Sequence, residues 1–554
     1  AARGLIAIMR SPNRCGAAVL AAAMLLPAAA SAAQPSATPL EPGRPPLSPT
    51  SDRPFPLPDP DVAPPSPART APQGRPDIAI RKVRFIGAGV PANVAKAAER
   101  YIGRPASTEN LKRLAAAMTR AYNRSSVALF TLVIPEQDFA DGVVTVASAE
   151  GHISRVTISG DAQGGPAPLI ARMAAPLPGS KPLPRARFER ALGTIADIPG
   201  TKVTPTLALG DSPGAVAVDL AVDASRPTLG VGFTTRSSPY VRDGIVEATA
   251  RGYSLLRSGD ESQLGGAAAV DFKSLLYITA RHSTPLGAAG TRAELSVAAL
   301  RTRPRALAID GKAWSGGLAV THPLIRSTRR TLTLSGRLDY LDSRNALFGT
   351  TLAAEKSWTA SGALAFRLTE DRSVVGARLG VSRGLDIAGA RVDPAVGEAD
   401  FLYADAAVEA NQAIGKRVVL RAAATGRWTR DRLPAAQRFS VGGASFGRAF
   451  DDGLVSGDRG YAGFGELALR PLAKGALAKS EVYAFADYAD VTLLARPATS
   501  RSRFDLGSWG GGVRLSYRDN ATIGVEFADA WNQPAPGFDQ GWRVALAWKV
   551  SIRP

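Results

Sequence analysis

Only three histidines occur in the 554 residues, His152, His282 and His322, and they lie far apart. A zinc centre needs imidazole, thiolate or carboxylate ligands at short spacings such as His-Glu-x-x-His. None of the three sits in such a pattern, so no metal is expected. His152 opens a strand pattern, and His322 precedes Pro323 at a strand end, where a turn role is expected. No Gly-x-Ser-x-Gly elbow and no phosphate-cradling loop is present. Gly507-Ser508-Trp509-Gly510-Gly511-Gly512 lies inside an alternating segment, where glycine lets a sheet bend or pack closely. Asp451-Asp452 is an acidic pair of a kind common in loops. No cofactor is expected, and no enzyme.

The elements around these residues are mostly strands. From Trp542 to Ile552 every second residue is large and apolar, with charged, small or hydroxylated residues between. A period of two marks a strand with one apolar and one polar face. The pattern recurs in sixteen segments, from one near 228–236, through three near 312–322, 330–341 and 356–368, to one near 541–552. An even count, with Arg, Lys and Asp regularly on the second face, predicts an antiparallel transmembrane β-barrel over 226–554, lipid outside and water inside.

The N-terminal region carries an address. Arg3, Arg10 and Arg14 precede an apolar run from Gly16 to Ala30, followed by Ala30-Ser31-Ala32. This is the layout of a secretory signal peptide over 1–32, too short for a spanning helix. The single cysteine, Cys15, falls inside it, so no disulfide is expected. Residues 33–77 form a linker, with fifteen prolines between Gln34 and Pro76, too proline-dense to bury a core. The net charge of +19 comes without a basic run, and an exported chain rarely meets nucleic acid. The charge fits a polar lumen and loops facing anionic lipid headgroups.

Between linker and barrel one pattern occurs twice. Residues 78–151 read as strand, two helices and two strands, the second helix starting at Ser107-Thr108-Glu109-Asn110. Residues 152–225 repeat that β-α-α-β-β order, with Asp211-Ser212-Pro213-Gly214 between the closing strands.

Four stretches resemble the haemolysin secretion/activation proteins of the ShlB/FhaC/HecB type, two-partner secretion transporters that combine periplasmic POTRA domains with an outer-membrane barrel. Pro135 and Gln137, then Asp141-Gly142 and Glu150-Gly151, are similar to the end of the family's first POTRA domain. Asp197-Ile198-Pro199-Gly200 resembles a motif of the second, and His322-Pro323-Leu324-Ile325-Arg326-Ser327 one of the barrel. Gly442-Gly443, running to Phe446-Gly447-Arg448-Ala449-Phe450, resembles the long extracellular loop that folds back into the lumen. The family's loop motif is Val-Arg-Gly-Tyr/Phe, so Gly447 stands for Val and Ala449 for Gly. The resemblance implies that Arg448 meets an acid on a neighbouring wall strand, and Phe485-Ala486-Asp487 fits that acid's pattern. Two departures are a proline-rich segment where the family often has a plug helix, and a chain end of Arg553-Pro554 in place of an aromatic.

What the resemblance implies is a monomeric protein-conducting pore in the bacterial outer membrane, embedded in its lipid, with POTRA domains in the periplasm. Those domains would capture an exported β-helical exoprotein, of adhesin or haemolysin type, by strand addition, and the partner would thread the lumen without nucleic acid, ATP or an ion gradient. Two rivals are an assembly factor of the same superfamily and a passive porin. Two tandem periplasmic units disfavour the porin, and the short POTRA count with His322–Ser327 disfavours the assembly factor.

Overall fold

The computed structural model describes residues 72–552, apart from 162–164, 213, 238–240, 242, 304–308, 348–349, 473, 498 and 536–540. The expected signal peptide, most of the linker and Arg553-Pro554 lie outside the described residues.

The chain starts with β1 (Arg75–Ala79) and β2 (Lys82–Gly87), then α1 (Ala92–Glu99), β3 (Pro105–Ala106), α2 (Thr108–Tyr122), β4 (Phe130–Val133) and β5 (Val143–Glu150). The run Ile80-Arg81-Lys82-Val83-Arg84-Phe85-Ile86 reads in sequence as one strand, but the strand starts only at Lys82. Ile80, wholly buried, donates its N–H to the Arg104 carbonyl and accepts from Gly103, which turns the backbone out of line. β1 pairs with β3, so a strand runs from Arg75, inside the stretch expected to be linker. Ser107 caps α2 by accepting the Asn110 N–H at 3.3 Å. Leu111, Leu114, Met118 and Tyr122, at helical spacing, face the core of this unit.

The second unit runs β6 (His152–Gly160), α3 (Ala167–Ala174), α4 (Arg185–Ala196), β7 (Thr201–Leu209) and β8 (Ala215–Ala224). The three-stranded sheets of the two units have one topology. In each, the last strand is central, parallel to the first and antiparallel to the strand before it: β2-β5-β4 and β6-β8-β7. The repeat read from the sequence is thus a repeat of topology. Arg185 joins the units, donating to the carbonyls of Ser125, Tyr122 and Val127 at 3.0, 3.2 and 2.8 Å.

Sixteen strands then close a barrel. The first eight are β9 (Thr228–Thr234), β10 (Ile245–Tyr253), β11 (Glu261–Ala269), β12 (Leu275–Pro285), β13 (Arg292–Thr302), β14 (Ile309–Arg326), β15 (Arg330–Leu347) and β16 (Thr350–Thr369). β17 (Ser373–Leu385), β18 (Leu402–Ile414) and β19 (Val418–Thr429) follow. After a long loop containing the short hairpin β20 (Phe439–Val441) and β21 (Val455–Gly457) come β22 (Arg459–Leu469), β23 (Glu481–Leu493), β24 (Ser502–Tyr517), β25 (Ala521–Asn532) and β26 (Arg543–Ile552). β26 pairs antiparallel with β9, with Ile552 opposite Leu229, leaving no open edge.

Alternation becomes a two-faced wall. On β13, Leu295 and Val297 are exposed, as are Leu318 and Val320 on β14 and Leu379 and Val381 on β17. In water this surface would be an aggregation hazard; in a bilayer it is the lipid face. Trp314, Tyr340 and Trp358 pack side by side across β14–β16, tilted to one another with neighbouring centroids 4.8 Å apart, as in an aromatic girdle. β14 differs from expectation at His322. The strand continues through Pro323 by a register shift at Pro323/Ile325, and the His322 Nδ1 pairs with the Thr291 hydroxyl at 2.8 Å. A proline is tolerated there because a bulge needs no ladder donor. The glycines of β24 make room: Gly510 and Gly512 lie opposite Phe485 and Tyr483, whose rings occupy the space a side chain would take.

Candidate functional site in the lumen

Residues 430–458 connect β19 to β22, enter the barrel and pack on its inner wall. On β23 the odd residues are buried and Val482 is exposed, so Glu481, Tyr483, Phe485 and Asp487 point inward. The loop sets Val441, Ala449, Phe450 and Val455 against Tyr483, Phe485, Ala489 and Val491 of β23, Phe504 and Leu506 of β24 and Ala528 of β25. Phe450, Ala449 and Arg448 are all buried.

Glycine shapes this segment. Gly442 and Gly443 have φ of 106° and 98° and Gly447 has 77°, a region costly for other residues. Gly442 and Gly443 donate to the carbonyls of Phe446 and Gly447 at 2.9 and 3.1 Å, closing a compact turn that presents Arg448 to the wall. The left-handed residue is thus Gly447, before the arginine. Ala449 takes an ordinary conformation and gives its N–H to the Ser508 hydroxyl at 3.2 Å.

The pairing of Arg448 differs from the expected one. Asp487 does not pair with the guanidinium. It accepts the backbone N–H groups of Gly447 and Arg448 at 2.8 and 3.2 Å, and the Ser508 hydroxyl at 2.8 Å. The guanidinium reaches past it to Glu466 of β22 at 3.1 Å and Glu526 of β25 at 3.3 Å. It lies over the rings of Phe485 and Phe464, 4.3 and 5.0 Å from their centroids. The geometric reason is reach: with Asp487 at the turn's own backbone, the long side chain extends to the next acids.

Those acids belong to a larger network. Glu466, 2% exposed, also takes Arg421 at 2.8 Å and Arg514 at 2.7 and 2.8 Å. Glu481 takes Arg421 at 2.6 Å and Arg470 at 2.9 Å. Glu526 takes Arg236, from beyond the end of β9, and the Tyr483 hydroxyl at 2.7 Å. Arg236 also donates to the Arg448 carbonyl at 3.0 Å. Buried charges are tolerated only when compensated in this way. Sequence reasoning missed Glu466, Glu526 and Arg236. A usable signal is parity: Glu466 and Glu526 each stand between outward residues, Gly465 and Leu467, Val525 and Phe527, so both must face the lumen.

At the extracellular rim, Asp458 and Arg496 fasten the loop. Asp458 is fully buried and accepts the N–H groups of Leu433 and Leu494, both at 2.7 Å, and Arg496 at 2.8 Å. Arg496 also donates to the Val396 carbonyl at 2.7 Å. One ion pair thereby ties both ends of the lumen loop to its neighbours.

The POTRA motif residues do not converge on the lumen. Gln137 pairs its side-chain amide with the Thr145 main chain in both directions, at 2.8 and 2.7 Å, and donates to the Pro135 carbonyl at 3.2 Å, acting as an extra strand partner for β5. Asp141-Gly142 forms the turn into β5, with Gly142 at φ 67°. Glu150 accepts from the Tyr122 hydroxyl at 3.5 Å; burial and the Glu150 charge push that phenol up to about 12. Gly151 receives the Leu183 N–H at 3.0 Å where the units meet.

Two other motifs meet each other. Asp197 holds Arg326 by two bonds of 2.6 and 2.8 Å. Arg190 donates to the carbonyls of Pro323 and Leu324 at 3.0 and 3.1 Å. The second unit is thus docked on the periplasmic turns of the barrel. Among the described residues no group of three or more His, Cys, Asp or Glu could hold a metal ion.

Comparison with known proteins agrees with this architecture. Residues 283–515 match the family model for the haemolysin secretion/activation protein ShlB/FhaC/HecB, and residues 78–151 that for the ShlB-type POTRA domain. No curated protein matches the chain. Among solved structures, CdiB from Escherichia coli aligns with a TM-score of 0.67 at 19% identity, over 89% of this chain and 93% of that one. CdiB from Acinetobacter baumannii aligns at 0.60 and 15%, over 90% and 94%. BamA from Haemophilus ducreyi lacking POTRA domains 1-3 aligns at 0.51 and 11%, over 86% and 100%. At such identities the structural likeness speaks for the fold, and the family matches carry the assignment. The chain belongs to the haemolysin secretion/activation family, two-partner secretion transporters that export a protein across the bacterial outer membrane.

Proposed function

We propose that the partner is a β-helical exoprotein, captured unfolded at the sheet edges of the two periplasmic units and threaded through the lumen as residues 430–458 shift aside. In this reading residues 1–32 are a signal peptide, 33–77 a linker, 152–225 a second POTRA domain beside the first at 78–151, and 226–554 the barrel. One monomer forms the pore.

The observation that carries the reading is the lumen loop itself. It packs inside the barrel against the buried network, held there by side chains and backbone hydrogen bonds that can exchange. A chain crossing the lumen has to displace it. Arg448 and Asp487 hold the loop in the register from which it shifts, with Phe485 beneath the guanidinium. Capture is supported by β7, an edge strand whose Leu207 and Leu209 are 48% and 95% exposed, open to strand addition.

The test is secretion of a cognate exoprotein by cells carrying Arg448→Ala. Export should fall at least tenfold while the amount of folded barrel in the outer membrane stays unchanged. Undiminished export would remove the loop from the mechanism. Leu209→Asp should weaken capture of the same partner with the lumen network intact.

A further inference from the structure

The turn between β10 and β11, residues 254–260, has a construction that the export pathway does not use. Leu255 and Leu256 are 61% and 76% exposed. The turn that displays them is rigid. The Asp260 carboxylate, fully buried, accepts the N–H groups of Leu255, Leu256 and Arg257 at 2.8, 2.9 and 2.6 Å. Ser254 donates its N–H to the Asp260 carbonyl at 2.9 Å, and its hydroxyl accepts from Gly259 at 3.1 Å. Two leucines held out by a fixed turn leave apolar area in contact with water unless something covers it.

Direction decides what covers it. Leu255 folds back over Gly252, its Cδ1 2.6 Å from where a Cβ on that glycine would stand. Gly252 has the outward parity of Ala248 and Ala250, and Ala250 is in register with Leu264 and Leu229, which are exposed on the lipid face. Leu255 therefore extends the membrane surface at its periplasmic end, and Leu256 stands exposed beside it. The lumen side of the turn is taken by Arg292, which donates to the Gly259 carbonyl at 3.0 Å. A third side meets the second unit, where the Ser258 hydroxyl accepts the Leu169 N–H of α3 at 3.1 Å. Arg257 is exposed, and among the described residues its guanidinium has no acidic partner.

We propose that residues 254–260 form an interfacial anchor that binds glycerophospholipid of the periplasmic leaflet, Leu255 and Leu256 entering the acyl boundary and Arg257 meeting an anionic headgroup. Because the same turn receives α3, the anchor fixes the docked unit relative to the membrane plane. A translocating polypeptide is the rival occupant, and the outward direction of Leu255 argues against it.

The test uses the full chain with Cys15→Ser and Leu256→Cys, labelled with a polarity-sensitive fluorophore. It is reconstituted in vesicles of phosphatidylethanolamine and phosphatidylglycerol. Lipid carrying a nitroxide near the headgroup should quench the label at least twofold, while aqueous iodide quenches it several-fold less than the same label at Leu209→Cys. Replacing phosphatidylglycerol by phosphatidylcholine should weaken the nitroxide effect, and Arg257→Glu should abolish that dependence. Iodide quenching equal at the two positions, or protection appearing only when exported polypeptide is added, would overturn the proposal. Insensitivity to the anionic lipid would overturn the role of Arg257.

Discussion

Two interfaces hold this barrel's accessory parts, and they are built on opposite physical terms. In the lumen and at its rim the loop is fastened by charges sealed from water: Arg448, Glu466, Asp487 and Asp458 are each 5% exposed or less. At the periplasmic mouth the second unit docks through Arg326 and Asp197, and the Asp197 side chain is 52% exposed. A buried pair that loses one member leaves a charge without compensation, at roughly 3–5 kcal/mol. A solvated pair is worth about 0–1 kcal/mol. The lumen contact therefore behaves as an all-or-none latch, and the periplasmic dock as an adjustable one, whose carbonyl contacts from Arg190 survive loss of the ion pair.

The largest expected effect is at Asp458. Asp458→Ala leaves Arg496 buried without its acid and the Leu433 and Leu494 N–H groups unpaired. Thermal unfolding of the purified barrel should shift down by an amount equivalent to about 3–5 kcal/mol. A shift as small as that of a surface pair would erase the difference between the lumen latch and the periplasmic dock. Next comes Asp487→Ala, which strands the N–H groups of Gly447 and Arg448, at about 1–3 kcal/mol for each unsatisfied group. The loop should become sensitive to protease added outside the cell, whereas Asp487→Asn, which keeps an acceptor, should restore much of the protection.

Arg326→Ala should cost about 1 kcal/mol or less and mainly loosen the dock. Crosslinking between cysteines placed at Glu189 and Thr328, joined by a 3.4 Å contact, should slow in this variant and in high salt. The doubly reversed Asp197→Arg/Arg326→Asp should recover part of the rate. The smallest effect is at Tyr122. Its folded pKa lies above the ordinary value of 10, so its contribution to stability is complete below pH 10 and is lost as pH rises towards about 12. Tyr122→Phe should remove that part of the alkaline destabilisation of residues 78–151, followed by circular dichroism, and leave the barrel unchanged.

Legibility followed the range of the interactions. Alternation of apolar and polar residues is a property of neighbours, so the sixteen strands stood in the sequence close to their final positions. β14, β15 and β16 were too short there, at 312–322, 330–341 and 356–368, against Ile309–Arg326, Arg330–Leu347 and Thr350–Thr369. Stretches such as Asp342-Ser343-Arg344-Asn345 keep their ladder but lose the apolar face, so the pattern that marked the strand is gone. Ile80 misled in the other direction, since an apolar residue between two strands looks like either until tertiary bonds turn the chain. In the lumen, Arg448 and Asp487 were legible as residues, but their contact was not, because a side chain and its own backbone compete for the same carboxylate.

The sequence by itself determined the wall: which residues face lipid, how many strands there are, and that two like units precede them. Each of these is a periodic pattern, and periodicity needs no knowledge of distant chain. Only the tertiary structure decided what meets inside. Arg236 and Glu526 are 290 residues apart and touch because β26 closes on β9. Arg326 finds Asp197 because the second unit docks beneath the turns. Closure and docking set these pairs, and no local pattern encodes the partner of a charge that must be satisfied away from water.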